Sequence, residues 1–167
     1  MVTYIVVAVL AGFLLGLFLQ RAACAFFRFR GMRVVRCPEN RQLNAVELSA
    51  WHAVLTAFGG GTLPHVRNCS RWPARGACDQ ACVKEIRSAP AATRVETILA
   101  NWCRYNACFY CGAPLAHLHI GPHQPHLVDR DLRIFEWKEI PPQEIPLTLR
   151  RCEPVCENCV VAETHTW

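Results

Sequence analysis

The sequence predicts an α+β chain: a single N-terminal transmembrane helix plus a small, metal-stapled, zinc-ribbon-like cytoplasmic domain. Three observations predict it. An uncharged apolar run, Thr3 to Leu19, lies near the N-terminus of the 167 residues. A group of arginines follows it directly. Eleven cysteines come after the run, and four of them stand in two C-x-x-C pairs.

The helix is the first element. At about 1.5 Å per residue the run approaches the hydrocarbon thickness of a bilayer, and Met1 and Val2 extend it. A cleaved signal peptide would want a basic segment before the run and a small-x-small site soon after it, and neither is seen. Arg21 stands where a lipoprotein box ending at Cys24 would place a leucine. A retained anchor over residues 1–27 is therefore expected. Arg21, Arg28, Arg30, Arg33 and Arg36 all follow the span, which by the positive-inside rule puts the rest of the chain in the cytoplasm. With Phe26, Phe27 and Phe29 among them, residues 28–36 read as a basic segment at the membrane surface, in contact with lipid headgroups. The net charge of +5 owes much to these arginines. Ala8, Gly12 and Gly16 lie four apart and form one small-residue face. Such a face lets a second helix approach closely, so transmembrane subunits of a larger complex are the expected partners.

A first cysteine-rich module is expected over residues 37–91. Met32 to Asn40 begins extended and reaches a Cys-Pro turn. Leu43 to Phe58 alternates at first and then drifts to helical spacing, so it reads as a strand entering a helix or a second strand. Gly59 to Gly61 ends it. A short strand and a turn follow in "LPHVRNCSRWP". Cys78, Cys82 and Ile86 fall on one face if residues 78–89 are helical.

A helix and a zinc-ribbon-like module are expected over residues 92–167. Ala92 to Tyr105 is the clearest helix outside the anchor. Val95, Ile98, Leu99 and Trp102 form its apolar stripe, and Thr93 with Glu96 reads as a capping box. Leu127 to Ile140 reads as a hairpin around Asp129-Arg130-Asp131. Pro141, Pro142 and Pro146 mark an irregular connection.

In a reducing compartment, clustered cysteines read as metal ligands. Cys108-Phe-Tyr-Cys111-Gly and Cys156-Glu-Asn-Cys159 are two C-x-x-C units. Carried on two hairpins, they give the four-sulfur cage that zinc prefers. The stretch between them, residues 112–155, exceeds the about 15–20 residues of a simple ribbon, and the expected hairpin accounts for the excess. Covalent haem needs C-x-x-C-H, but Gly112 and Val160 hold the two histidine positions. A thioredoxin-like pair would want a βαβ setting, which neither unit has. An iron–sulfur cluster is the standing alternative, because four sulfurs suit both centres. Cys37, Cys69, Cys78 and Cys82 form a second possible set, two from turns and two from a helix. Small buried apolar residues are the other reading of these four. One or two zinc ions are expected in all. Cys24 and Cys103 read as apolar fillers, and Cys152 as a possible substitute ligand. His117, His119, His123 and His126 read as a polar loop.

"RVVRCPEN", "NCSRWPARGACDQACVKEI", "CFYCGAP" and "PVCENCVVAET" resemble a family of small bacterial proteins that join a membrane anchor to a cysteine-rich, zinc-ribbon-like domain. The likeness covers most of the chain after Arg33. It implies a bacterial inner-membrane protein and brings no established activity. Some such proteins carry histidine directly after the last C-x-x-C, where this chain has Val160.

No glycine-rich phosphate loop, persuasive Ser-His-Asp order or glutamate pair suggests an enzyme, and Glu136, Glu139 and Glu144 do not look catalytic. The expected function is a non-catalytic, metal-binding accessory subunit of a membrane energy-transducing complex, respiratory or photosynthetic. The alternatives are an iron–sulfur electron carrier at the membrane face and a zinc-ribbon regulatory or nucleic-acid-binding protein. Basic residues beyond the arginine cluster are scattered, which makes nucleic acid the weaker partner.

Overall fold

The computed structural model describes residues 1–57, 64–72, 74, 78–116 and 124–164. Helix α1, Val2–Phe29, has 28 residues and so extends about 42 Å, enough to cross a bilayer core of about 30 Å. Its large apolar side chains from Val2 to Leu19 are exposed, whereas Ala25 and Phe29 are buried. The helix thus runs past the expected boundary at residue 27, and its last turn belongs to the core of the domain. Gly31 then turns the chain with φ +94°, a conformation costly for any side chain with a Cβ.

The first sheet has the order β1-β2-β3 and is antiparallel throughout: β1 is Met32–Arg36, β2 Leu43–Leu48 and β3 Val66–Cys69. The ambiguous Leu43 to Phe58 stretch resolves as a strand followed by helix α2, Ala50–Thr56. Ser49 caps α2, its side chain accepting the His52 N–H at 3.3 Å. Helix α2 packs back on the end of α1, with the Trp51 ring 5.5 Å from that of Phe26. The Gly59–Gly61 signal lies outside the described residues.

Helix α3 spans only Val83–Ser88, so Cys78 and Cys82 do not share a helical face as expected. Gln80 breaks the pattern. Its φ is +56°, and its Oε1 accepts the Val66 N–H at 2.9 Å, holding the turn against β3. Helix α4, Val95–Arg104, buries Val95, Leu99 and Cys103, with Ile98 and Trp102 half-buried beside them. Its N-cap is Arg94, and the expected Thr93–Glu96 capping box does not form. The Thr93 hydroxyl is engaged elsewhere: it donates to the Pro90 carbonyl (3.3 Å) and accepts from the Arg33 guanidinium (3.1 Å).

The second sheet has the order β5-β4-β6, with β4 His126–Val128, β5 Ile134–Glu136 and β6 Glu153–Val155, all antiparallel. The expected hairpin is β4–β5, and the Asp129 carboxylate sets its turn by accepting the N–H groups of Asp131 and Arg133, each at 2.9 Å. The proline-marked connection forms two 3₁₀ turns, Trp137–Glu139 and Pro142–Glu144, and the short helix α5, Ile145–Thr148. Glu136 and Glu139 cap the first of these turns reciprocally, which gives both carboxylates a structural task. Helix α6, Glu157–Thr164, follows β6. Val34 of β1 packs with Val95, Leu99, Leu127, Ile145, Leu149 and Cys152. This core joins β1 to elements after residue 92, and Leu43 of β2 packs against it.

Arg33 corrects an expectation. Arg21, Arg28, Arg30 and Arg36 are exposed, but Arg33, expected among them at the membrane surface, is completely buried. Its guanidinium donates to the carbonyls of Arg28 and Pro90 as well as to Thr93. It lies 5.9 Å from the Phe29 ring centre. Burial, and then the neighbouring Arg94, lower its pKa to about 10, which leaves it charged at neutral pH. One side chain thereby joins the end of α1 to β1 and to the turn before α4. Replacing Arg33 with Leu would strand these buried carbonyls. It is expected to destabilise the chain by about 2–4 kcal/mol, read as a lower melting temperature in detergent, whereas Arg36→Leu should change little.

Candidate metal centre

The first C-x-x-C unit is a knuckle. Ala107 and Pro114 form an antiparallel bridge, the Cys108 N–H bonds to the Ala113 carbonyl, and the Gly112 N–H bonds to the Cys108 carbonyl, both at 2.9 Å. Gly112 has φ +69°, so glycine is the residue that closes this loop without strain. The Phe109 N–H bonds to the Pro154 carbonyl at 2.9 Å and ties the knuckle to β6.

The second unit is built differently from the expected second hairpin. Cys156 ends the approach from β6, and Cys159 lies in the first turn of α6, with the N–H groups of Cys159 and Val160 both bonded to the Cys156 carbonyl at 3.1 Å. The reason is local. Val160, Val161 and Ala162 follow Cys159 with no glycine to reverse the chain, so the helix continues. Val160 also packs beside the cluster of Cys103, Cys108, Leu115, Val128 and Val155 beneath the site.

The sulfurs of Cys108, Cys111, Cys156 and Cys159 all lie within 4.8 Å of one another. Cys111 and Cys156 are 3.7 Å apart. Four sulfurs placed tetrahedrally at about 2.3 Å from one ion stand about 3.8 Å from each other, so the spacing fits a metal ion. A disulfide, at about 2.05 Å, is excluded for these free thiols. The Cys156 N–H donates to the Cys108 sulfur at 3.3 Å. Burial pushes the Cys108 thiol up, but N–H donors from Cys111, Cys156 and Tyr110 outweigh it and bring its pKa to about 6. Cys159 moves the other way, to about 12, because the Cys156 sulfur shares a proton with it and the other sulfurs crowd it. Cys156 is raised too, first by burial. Four thiols this close cannot all ionise without a cation between them. The donor set suits zinc and an iron–sulfur centre alike.

Cys152 is not part of the cage: it is buried in the core with Leu127 and Ile140. Cys103 is core, as expected. His117, His119 and His123 lie outside the described residues, and His126 opens β4. The second set of cysteines gathers around a single cavity lined by Cys37, Cys69, Cys78 and Cys82. Burial pushes the Cys82 thiol up to about 11, and Cys78, Cys69 and Cys37 add to the effect. A concavity of about 790 Å³ lies between the β4–β5 turn and α5 and is lined by none of the four cage cysteines; its Asp129 is committed to the turn.

Comparison with family models, curated proteins and solved structures finds no match, so the chemistry of the site rests on its own geometry. An ion taken up here would have to displace protons from Cys156 and Cys159, whose thiols are held protonated, whereas the Cys108 thiol is lowered to about 6. Affinity should therefore rise with pH, by at least about a hundredfold per unit through the neutral range, in chelator competition. Cys111→Ser should abolish this uptake.

Proposed function

We propose that the protein is a non-catalytic accessory subunit of a bacterial inner-membrane complex, anchored by α1, with its metal-stapled domain on the cytoplasmic side. The closed four-sulfur cage carries this reading. All four positions are filled by protein sulfur, so an ion held there has no open position for substrate, as in structural rather than catalytic sites. The elements around it are short, with three-residue strands and a four-residue helix, and an ion would hold together what so little secondary structure cannot.

The base of α1 supports the membrane part. Trp51 and Leu55 of α2 and Phe27 of α1 are exposed, and Arg30 stacks on Phe26 and Phe27 at 5.9 and 5.5 Å. Aromatic and arginine side chains mixed at the end of an apolar helix suit the headgroup layer. Along α1, an added Cβ at Gly12 or Gly16 would meet nothing within 4 Å, which leaves the small-residue face open to a partner helix. A respiratory or photosynthetic assembly is the partner class we favour.

Affinity purification of the full chain in mild detergent should recover transmembrane subunits in fixed ratio, and alkaline carbonate should fail to release the protein from membranes. Leucine at Gly12 and Gly16 should lose the partners while keeping the metal. Release by carbonate, or recovery of the chain alone, would sink the proposal. Elemental analysis of the same material separates zinc from iron.

A further inference from the structure

The second group of cysteines packs against a different apolar cluster from the first, the one that contains Phe29 at the end of α1. Its members come from four places: Cys37 follows β1, Cys69 ends β3, Cys78 precedes the Gln80 turn and Cys82 is the N-cap of α3. All four line one cavity with Val35, Val46 and Trp72. Its volume is about 20 Å³, and a single water-sized body needs about 10–15 Å³. The space therefore suits one ion. Cys69 and Cys82 pack against the cluster containing Phe29, Val35, Val46 and Ile86, so a bond between them would cross-link the first sheet to α3.

Hydrogen bonding distinguishes two of these sulfurs, those of Cys37 and Cys78, from apolar filler. The Cys37 sulfur accepts from the Arg71 guanidinium at 3.1 Å. The Cys78 sulfur accepts the Gln80 N–H at 3.4 Å. The Cys108 sulfur in the first cage is served in the same way, by the Cys156 N–H. Arg71 also pairs with Glu39 at 3.0 Å, which fixes the guanidinium against Cys37. The thiols are all free.

We propose that Cys37, Cys69, Cys78 and Cys82 form a second, independent four-thiolate site for a zinc-class ion, with Arg71 positioning the Cys37 sulfur from outside the ligand set. These sulfurs do not form a group as tight as the first, and an ion would draw them inward. The site would clamp the first sheet to α3, as the first clamps the Cys108 knuckle to β6 and α6. It stands whether or not α1 crosses a membrane.

The test is the metal content of the full chain, purified in detergent and reconstituted with zinc or cobalt alone. Two equivalents per chain are expected, with cobalt–thiolate absorption from both sites. Cys78→Ser and Cys37→Ser should each remove one equivalent, and Cys111→Ser the other. Arg71→Gln should keep both but release one to a chelator about 10–100-fold more readily. One equivalent in the unaltered chain, lost in Cys111→Ser, would overturn the proposal and leave the first cage intact. This outcome does not depend on any variant of the second site folding. Two equivalents, both retained in Cys78→Ser, would overturn it as well. No uptake at all would remove both sites.

Discussion

Four sulfurs within 4.8 Å of one another constrain the elements that carry them. Thiols so close share protons rather than shedding them, and the shifts of Cys108 and Cys159 are opposed. A divalent ion held among them would convert crowding into cross-linking. The knuckle at Cys108–Cys111, the end of β6 and the first turn of α6 would then be one unit. The apolar cluster of Leu115, Val128 and Val155 lies directly beneath and sets where the sulfurs point.

The anchor meets the domain through a different kind of interaction. Arg33 is charged and buried, and its donors go to carbonyls at the end of α1 and before α4. A buried charge needs hydrogen-bond partners, and the two terminal nitrogens of this guanidinium have them while its Nε has none among the described residues. The same side chain takes Thr93 away from its expected capping role. Together with Phe29 in the core and Trp51 against Phe26, it gives α1 a firm connection to the sheet rather than a free tether. A helix face carrying Gly12 and Gly16 would then be held in a definite relation to the cysteine-rich domain.

Much of this was legible in the residues. The apolar length of α1 follows from an uninterrupted run, and the β4–β5 hairpin from alternation around an aspartate-rich turn. The first cage follows from two C-x-x-C spacings, since a pair so spaced turns both sulfurs one way whether a knuckle or a helix start carries it. The errors share a cause. Cys78 and Cys82 have helical spacing, but spacing cannot register Gln80 reaching across to β3. Thr93 has a capping pattern, but the pattern cannot register a competing arginine sixty positions earlier. Arg33 belongs to a basic cluster, but its alternation with Val34 along a strand does not reveal that both faces are covered.

The sequence by itself determined the local chemistry: an apolar helix, eleven thiols, two metal-type spacings and the loss of a haem ligand at Val160. These are properties of neighbouring residues, and short range suffices to read them. Only the tertiary structure decided which thiols meet, that Cys152 is core rather than ligand, that the second C-x-x-C begins a helix, and that one arginine of five leaves the surface. Each of those outcomes depends on partners distant in the chain. Convergence in space, which burial and hydrogen-bond satisfaction enforce, has no signature in local order.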